Sequence, residues 1–288
     1  MKEEIEMAYM AGILDGDGSF SVLKSHNSYH PCIQLSNAFK GMSEYLFSKF
    51  EGSLRIKKPQ KPHHKPLYVW SVRGLGSSKN VLHKVIPFLV LKKERAEFML
   101  DFVEKSLIKK LDLIQGERTN LKMKDHNQKC LLSSGTLCDR TLKCSDDPIF
   151  WSYLAGIMDT EGSFSIKREK AHSGSVNMRY NPVIQLTMVP VDCINYIRKN
   201  CSLGSFCIPK AACTQKGYAY KMSIISKDEC IRFIHKILPY LRYKKGQVLT
   251  LLNFCENYGS VKHCQGGIPK EILEFREEMY QQMRKLNA

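Results

Sequence analysis

An eleven-residue stretch occurs twice in this chain, with equivalent positions 144 residues apart. The copies are MAGILDGDGSF, at positions 10–20, and LAGIMDTEGSF, at positions 154–164. Both run from apolar and small residues into two acids separated by one small residue, and both end in Gly-Ser-Phe. Such a duplication predicts two equivalent halves related by a pseudo-twofold axis, with one acid at the same point in each half, Asp17 and Glu161.

The match continues downstream of both copies. Paired segments with strand-like alternation or helical spacing follow in the same order. They are SVLK and SIK, PCIQLS and PVIQLT, GSLRI and GSFCI, YVWSV and YKMSI, and IPFLVLKK and LPYLRYKK. Each half therefore reads α-β-β-α-β-β-α, and a last amphipathic helix closes it, at about 94–109 and about 247–258.

The duplication divides the chain into four parts. Residues 1–109 form the N-terminal half and residues 148–259 form the C-terminal half. Residues 110–147 are polar and weakly patterned, so we interpret them as a linker or insertion. Residues 260–288 contain apolar residues near helical spacing, which predicts a capping helix packed on the body of the protein.

The charge of the chain indicates the class of partner. It has 44 basic and 28 acidic residues and a formal net charge of +16. A polyanion suits such a chain, and nucleic acid is a better candidate than a membrane surface, although a merely soluble basic protein is the alternative. No apolar run approaches a membrane span, and the N-terminus does not resemble a secretory or transit peptide.

The eleven cysteines contain no Cys-x-x-Cys pair and no spacing typical of a disulfide scaffold. These spacings disfavour a zinc site. Free thiols indicate a reducing intracellular compartment. We expect either an organelle, chloroplast or mitochondrion, or a bacterial cytoplasm.

The motif itself predicts two helices in close contact. Small residues one turn apart, Gly12 and Gly16 in the first copy, allow two helix backbones to approach each other. The acids Asp17 and Glu161 then lie at helix C-termini, which are already partly negative. Two acids facing each other there repel unless cations bridge them. A bound divalent ion would resolve that conflict and would supply phosphodiester hydrolysis by activating water and stabilising the leaving oxygen.

Both stretches resemble the LAGLIDADG motif, and the chain resembles a double-motif, single-chain LAGLIDADG homing endonuclease over about 1–110 and about 148–260. The resemblance implies an α+β fold of two pseudo-symmetric αββαββα halves, with the motif helices packed at the centre. Each half would contribute a four-stranded antiparallel sheet to a saddle on double-stranded DNA. The implied protein is an intron-encoded monomer that cuts both strands across the minor groove and leaves 3′ overhangs.

The resemblance also implies a metal centre. In the family, the second acid of each motif binds the metal ions that serve the cutting of one strand, and these positions are Asp17 and Glu161. Two or three Mg²⁺ ions would be shared between the two acids, with Gly16 and Thr160 as further ligands. Mn²⁺ or Ca²⁺ would substitute in binding. The first acid of each motif would serve structure or helix termination.

Further catalytic positions follow from the same resemblance. A basic residue near each scissile phosphate corresponds to Lys92 and Lys244, with the next lysine in each run as the alternative. A polar side chain just after the second strand would orient water, and in the first half it is Asn37. The aligned residue of the second half, Met188, cannot do this. Unequal cutting of the two strands is therefore predicted, unless Thr187 or Gln185 substitutes.

Strand alternation sorts the residues that would face DNA. Arg, Lys, Gln and Asn on such a face can read base edges in the major groove, and loop lysines more often contact phosphate. The two halves differ at these positions, so the target should be long and only partly palindromic. The predicted DNA-binding residues are Ser21, His30, Gln34, Arg55, Lys57, Arg73, Lys167, Asn181, Gln185, Lys210, Lys221 and Ser223. Alternation assigns Cys32, Val69, Ser71 and Val183 to the same face.

Two other functions compete with the endonuclease. An RNA maturase that binds intron RNA would need an equally basic surface. A catalytically inactive DNA-binding protein could share the scaffold, but the presence of both acids and both lysines disfavours it. We therefore expect a magnesium-dependent monomer that binds double-stranded DNA, with intron RNA as a further candidate partner and no membrane.

Overall fold

The computed structural model describes residues 1–26, 28–59, 61, 65–108, 117–125, 137, 139, 141, 143–170, 178–189, 191–207, 213–214, 217–259 and 268–288. The first half contains α1 (Lys2–Gly16), β1 (Gly18–Ser25), β2 (Ser28–Asn37), α2 (Lys40–Phe50), β3 (Ser53–Lys57), β4 (Leu67–Val72), α3 (Leu75–Val85), a 3-10 turn (Ile86–Phe88) and α4 (Lys93–Leu107). A helix over 117–125, α5, follows. The second half contains α6 (Pro148–Thr160), β5 (Gly162–Lys170), β6 (Met178–Met188), α7 (Val191–Asn200), β7 (Ser205–Cys207), β8 (Cys213–Thr214), β9 (Gly217–Tyr218), β10 (Tyr220–Ile224), α8 (Lys227–Ile237) and α9 (Lys245–Glu256), and α10 (Lys270–Leu286) is last.

Each half holds one four-stranded antiparallel sheet. The strand orders are β1-β2-β4-β3 and β5-β6-β10-β7, and β8 with β9 forms a separate two-stranded ribbon. The registers agree as well, because Phe20 lies opposite Ile33 in one sheet and Phe164 lies opposite Ile184 in the other. The α+β fold of two pseudo-symmetric halves is therefore confirmed.

Helices α1 and α6 pack against each other at the centre of the molecule. Both are buried over consecutive residues, 7–15 and 150–159, which is typical of a helix surrounded by protein. A Cβ atom on Gly12 would lie 2.2 Å from the Tyr153 carbonyl oxygen, and one on Gly156 would lie 2.2 Å from the Tyr9 carbonyl oxygen. The contact of the two backbones, predicted from the small residues, thus requires glycine at both positions.

The first acid of each motif connects a central helix to the helix that closes its half. Asp15 accepts hydrogen bonds of 2.8 to 3.0 Å from the backbone N–H groups of residues 90–92. Asp159 does the same for residues 242–244, at 2.9 to 3.3 Å. These N–H groups lead into α4 and α9, so each buried carboxylate stabilises a helix start. Burial raises the pKa of Asp15, and the backbone donors oppose that shift.

Two peripheral segments pack on this framework. In α5, Met123 is buried, and the Asn120 amide donates to the Val22 carbonyl oxygen at 2.6 Å. Helix α5 thus contacts the first half, whereas the backbone N–H groups of Thr141 and Ser145 donate to carbonyl oxygens of residues 198 and 200 in the second half. In α10, Met279 and Met283 are buried in the core, as expected of a capping helix. None of the helices in the described ranges combines the length and the apolarity that crossing a bilayer would require.

Candidate active site

The second acids of the motif lie at the ends of the two central helices. Asp17 follows α1 and its N–H bonds to the Ile13 carbonyl oxygen, and Glu161 follows α6 in the same way. The strand begins at the next residue, a glycine. A Cβ atom on Gly18 would lie 2.6 Å from the carbonyl oxygen of Leu14, four residues earlier. The residue that follows each acid must therefore lack a side chain, because the chain turns there tightly from helix to strand.

The two acids interact electrostatically. The side chain of Glu161 reaches solvent, yet its pKa is raised. The larger cause is partial desolvation by the surrounding protein, and the second is the negative charge of Asp17. Lys92 and Lys244 act in the opposite direction on the same carboxyl. The structure therefore brings together four of the residues singled out in the sequence, two acids and two bases, one pair from each half.

Both lysines donate to the ends of the motif helices. The Lys92 ammonium donates to three backbone carbonyl oxygens, those of Leu14 at 2.8 Å, Gly16 at 2.9 Å and Gly18 at 2.6 Å. Lys244 repeats the pattern on residues 158, 160 and 162, at 2.9, 3.3 and 2.6 Å. All three protons of each ammonium are used. Burial lowers the pKa of Lys92 to about 8 and also lowers that of Lys244. The neighbouring lysines, Lys93 and Lys245, are exposed.

Asn37 and Met188 occupy equivalent places in the two sheets. Asn37 pairs with Tyr68 at the end of β2, and Met188 pairs with Tyr220 at the end of β6. The Asn37 amide donates to the Asp17 carboxylate at 2.6 Å. Met188 is 7% exposed and offers no comparable donor. The two acids therefore have different surroundings, as their alignment predicts.

The residues present suit a hard cation rather than a soft one. Two carboxylates and the backbone oxygens at the helix ends are all oxygen donors, which is the donor set that Mg²⁺ and Ca²⁺ take. In the described part of the chain, no three His, Cys, Asp or Glu side chains cluster as a metal site. The carbonyl oxygens of Gly16 and Thr160 both accept from a lysine, and the Thr160 hydroxyl donates to its own helix.

The open faces of the two sheets carry polar side chains. In the first sheet, Gln34 accepts from Arg55 at 3.3 Å and donates to the Ser36 hydroxyl at 3.0 Å. In the second sheet, Gln185 lies opposite Ser223. Lys210 lies outside the described residues. The other predicted DNA-binding residues are half-buried or exposed, and they are Ser21, His30, Gln34, Arg55, Lys57, Arg73, Lys167, Asn181, Gln185, Lys221 and Ser223.

Alternation alone overestimates the accessible part of this surface. Cys32, Val69, Ser71 and Val183 pair with residues of the open face, but each is only 2 or 3% exposed. Neighbouring strands on both sides bury such short side chains. Arg73 is exposed, but it follows the end of β4 and does not lie within the strand.

Two tyrosines were not predicted from the sequence. The Tyr153 hydroxyl donates to Asp15 at 2.8 Å, and the Tyr9 hydroxyl donates to Asp159 at 2.7 Å. Each bond runs from one motif helix to the acid of the other. The signal was present, since the two tyrosines occupy matching positions immediately before the two copies of the motif.

Comparison with known proteins identifies the architecture. No protein-family model and no curated protein matches this sequence. Solved structures do match: meganuclease I-SmaMI bound to uncleavable DNA superposes with a TM-score of 0.68 at 16% identity, over 98% of this chain and 99% of that one. The I-LtrWI LAGLIDADG homing endonuclease bound to target DNA gives 0.69 at 18% identity, over 98% of both chains.

The chain has the LAGLIDADG homing endonuclease fold. I-SmaMI with uncleaved DNA in the presence of calcium ions matches equally well, with a TM-score of 0.68 and 17% identity over 96% of this chain and 98% of that one. The full coverage means that both halves of the LAGLIDADG fold are present in one chain. The motif helices and the two sheets of this fold are the elements that carry Asp17, Glu161 and the open polar faces.

Proposed function

We propose that this chain is a site-specific endonuclease that hydrolyses phosphodiesters in both strands of a long double-stranded DNA target. One observation carries the proposal: Asp17 and Glu161 end two packed helices at one place, where the two polar sheets begin. The DNA-bound homing endonucleases with the same fold support the same partner for this chain. Its net charge of +16 supports a polyanionic substrate.

The residues around the acids would divide the work. Each acid would serve one DNA strand, so that the pseudo-twofold axis of the protein matches the antiparallel strands of the duplex. Lys92 and Lys244 would hold positive charge close to the reacting phosphates while they anchor the helix ends, and this charge would stabilise the negative transition state. Asn37 would keep the Asp17 carboxylate in one orientation.

A divalent cation fits between the acids, because the charge of Asp17 raises the pKa of Glu161 and a cation would relieve that repulsion. We propose Mg²⁺ held by Asp17 and Glu161, with Gly16 and Thr160 adjoining. When bound, the ion would supply Lewis-acid stabilisation of phosphoryl oxygens. A fold neighbour prepared with calcium ions supports the use of divalent metal.

The finer properties belong to the same proposal. Because both acids belong to one chain, the monomer would be the active unit. The cut would cross the minor groove and leave 3′ overhangs. The residues on the open faces differ between the two halves of the protein, so the target would be only partly palindromic. Gln34 and Gln185 occupy matching positions in the two halves and would contact equivalent positions of the two half-sites.

Selection from a randomised DNA library tests the proposal. The purified chain is incubated with the library and Mg²⁺, and cleaved molecules are recovered and sequenced to find the target and the geometry of the ends. Asp17→Asn and Glu161→Gln should each abolish double-strand cleavage of the selected site. Asp101→Asn is the matched control, because within the described ranges this exposed acid pairs only with Lys105 on its own helix; it should cut at the original rate. Recovery of no cleaved sequence would refute the endonuclease.

A further inference from the structure

A pocket of approximately 390 Å³ lies between the two halves, at the N-terminal end of α1. The first half lines it with α1 and with Lys49 of α2, and the second half lines it with Ser152, the segment before α9 and Lys245. The candidate active site is at the other end of α1. Asp17 follows the fifteen-residue helix that begins at Lys2, so the two residues are about 22 Å apart along the helix. The end of the pocket at Lys2 is thus remote from the cleavage centre, whereas Arg242 and Lys245 flank Lys244 in the chain.

The pocket is strongly positive. Four of its lining residues are cations and one is an acid: Lys2, Lys49, Arg242, Lys245 and Glu6. Glu6 is engaged by Lys49 at 2.8 Å and by Arg242 at 3.6 Å, and it accepts from the Tyr45 hydroxyl at 2.9 Å. One carboxylate therefore offsets one of the four positive charges, and three remain.

The Arg242 guanidinium lies over two tyrosine rings. Its centre lies 4.2 Å from the ring centroid of Tyr45 and 5.2 Å from that of Tyr9. The two rings are inclined at 70° to each other, and the Arg242 side chain is 43% exposed, so the N–H donors that Glu6 does not engage are open to a ligand. A planar fork of this kind matches the oxygens of a phosphate group.

Lys2 and Lys245 carry positive charges that no described residue of the protein neutralises. Both are exposed, and neither forms a hydrogen bond or an ion pair with any residue in the described ranges. Lys2 belongs to the first half and Lys245 to the second, so the two lysines flank the pocket only when the halves are assembled. Their charges are available to a ligand.

The duplication shows that the fold does not require this charge. The positions that correspond in the other half are Asp146 for Lys2, Phe150 for Glu6, Asn200 for Lys49, Val90 for Arg242 and Lys93 for Lys245. Of the four cations, only Lys245 has a basic counterpart. Phe150 is fully buried there against Tyr196, with ring centroids 5.7 Å apart. The five counterpart positions therefore hold one cation and one acid, whereas the five positions at the pocket hold four cations and one acid.

We infer that this pocket is a second anion-binding site, which takes phosphate groups at the junction of the two halves. Three unmatched positive charges suit a ligand with several negative charges, such as a polyphosphate or consecutive phosphates of a nucleic acid strand. A ligand with a single carboxylate would neutralise only one of the three remaining positive charges, since Glu6 already offsets the fourth.

Titration of the full-length chain with tripolyphosphate tests the inference. We expect one site, and we expect Lys2→Gln with Lys245→Gln to weaken binding by about tenfold or more. Lys93→Gln, the counterpart of Lys245 in the other half, is the matched control and should leave the affinity unchanged. Arg55→Gln with Lys57→Gln controls for adsorption to the open sheet. Lys2 and Lys245 have no partner in the described part of the chain, so thermal melting should show folded variants.

The source of the phosphate is resolved by competition. A short single-stranded RNA that displaces tripolyphosphate identifies a nucleic acid backbone, whereas displacement by ATP but not by RNA identifies a free nucleotide. Both results support the site. Absence of tripolyphosphate binding, or equal weakening by the pocket variant and by either control, would overturn it.

Discussion

The Asn37 side-chain amide donates a hydrogen bond of 2.6 Å to the carboxylate of Asp17. The register of the second sheet puts Met188 at the same point relative to Glu161, and a thioether donates no hydrogen bond. One acid of the candidate site is therefore oriented by a neighbouring side chain that the other acid lacks. This difference lies within an otherwise closely repeated structure.

Unequal cleavage of the two DNA strands follows from this difference. We expect Asn37→Met to slow nicking of one strand by about 10- to 100-fold, which is typical when a side chain that orients a metal ligand is removed. Met188→Asn should accelerate nicking of the other strand. The measurement is the nicking rate of each end-labelled strand of the selected target. Thr187→Ala and Gln185→Ala reveal whether either residue takes the role of Asn37 at Glu161. Equal nicking rates of the two strands by the unaltered protein would contradict the predicted asymmetry.

Glu161 should make stability depend on pH in the absence of divalent ions. Its pKa is raised in the folded protein, so the folded state retains a proton that the unfolded state has lost. The free energy of unfolding should therefore fall as pH rises from about 4.5 through the raised pKa. Glu161→Gln removes this slope, and its stability advantage should grow towards neutral pH. Urea unfolding in a chelator at several pH values measures the difference.

Divalent ions should reverse this effect. Ca²⁺ bound between the acids stabilises only the folded state, so it should raise the melting temperature of the unaltered chain. It should raise that of Glu161→Gln much less. If the unaltered chain and Glu161→Gln respond alike to calcium, the ion binds elsewhere.

The crossed tyrosine bonds should contribute to stability. Tyr9→Phe and Tyr153→Phe each remove a buried hydrogen bond to a carboxylate, at a cost of about 1–3 kcal/mol in the free energy of unfolding. The remaining backbone donors still satisfy Asp159 and Asp15, so both variants should fold. Tyr29→Phe is the control, because its ring contacts Lys24 and the described structure gives its hydroxyl no partner. Urea unfolding that shows no loss for either buried tyrosine would contradict the proposed stabilisation.

The glycine contact of the central helices should be intolerant of a methyl group. Gly12→Ala places a Cβ atom 2.2 Å from a backbone oxygen of α6, so the helices must separate and the protein should lose about 1–3 kcal/mol or more. Gly76→Ala is the matched control, since nothing lies within 4 Å of its added Cβ atom. That substitution should leave stability unchanged or increase it by about 0.5–1 kcal/mol. Thermal or urea unfolding of both variants distinguishes the two cases.

Much of the fold was accessible from the sequence, because its signals are local. Two copies of one motif with matching strands after each predicted two equivalent halves, and small residues one turn apart predicted a close helix contact. Strand alternation predicted which face a side chain belongs to, but it did not predict how exposed that side chain is. It assigned Cys32 and Val69 to the open face correctly by register, yet their burial depends on strands from elsewhere in the chain.

The sequence by itself determined that two acids, each at a helix end just before a strand, would meet if the halves paired, because each turn is encoded within a few residues. Tertiary structure decided what surrounds those acids. Lys92 contacts the helix end more than seventy residues earlier in the chain, at Gly16 and Gly18. The cationic pocket likewise exists only where Lys2 and Lys245 meet. Such contacts depend on how distant elements pack, and periodicity along the chain carries no information about the partner that packing will supply.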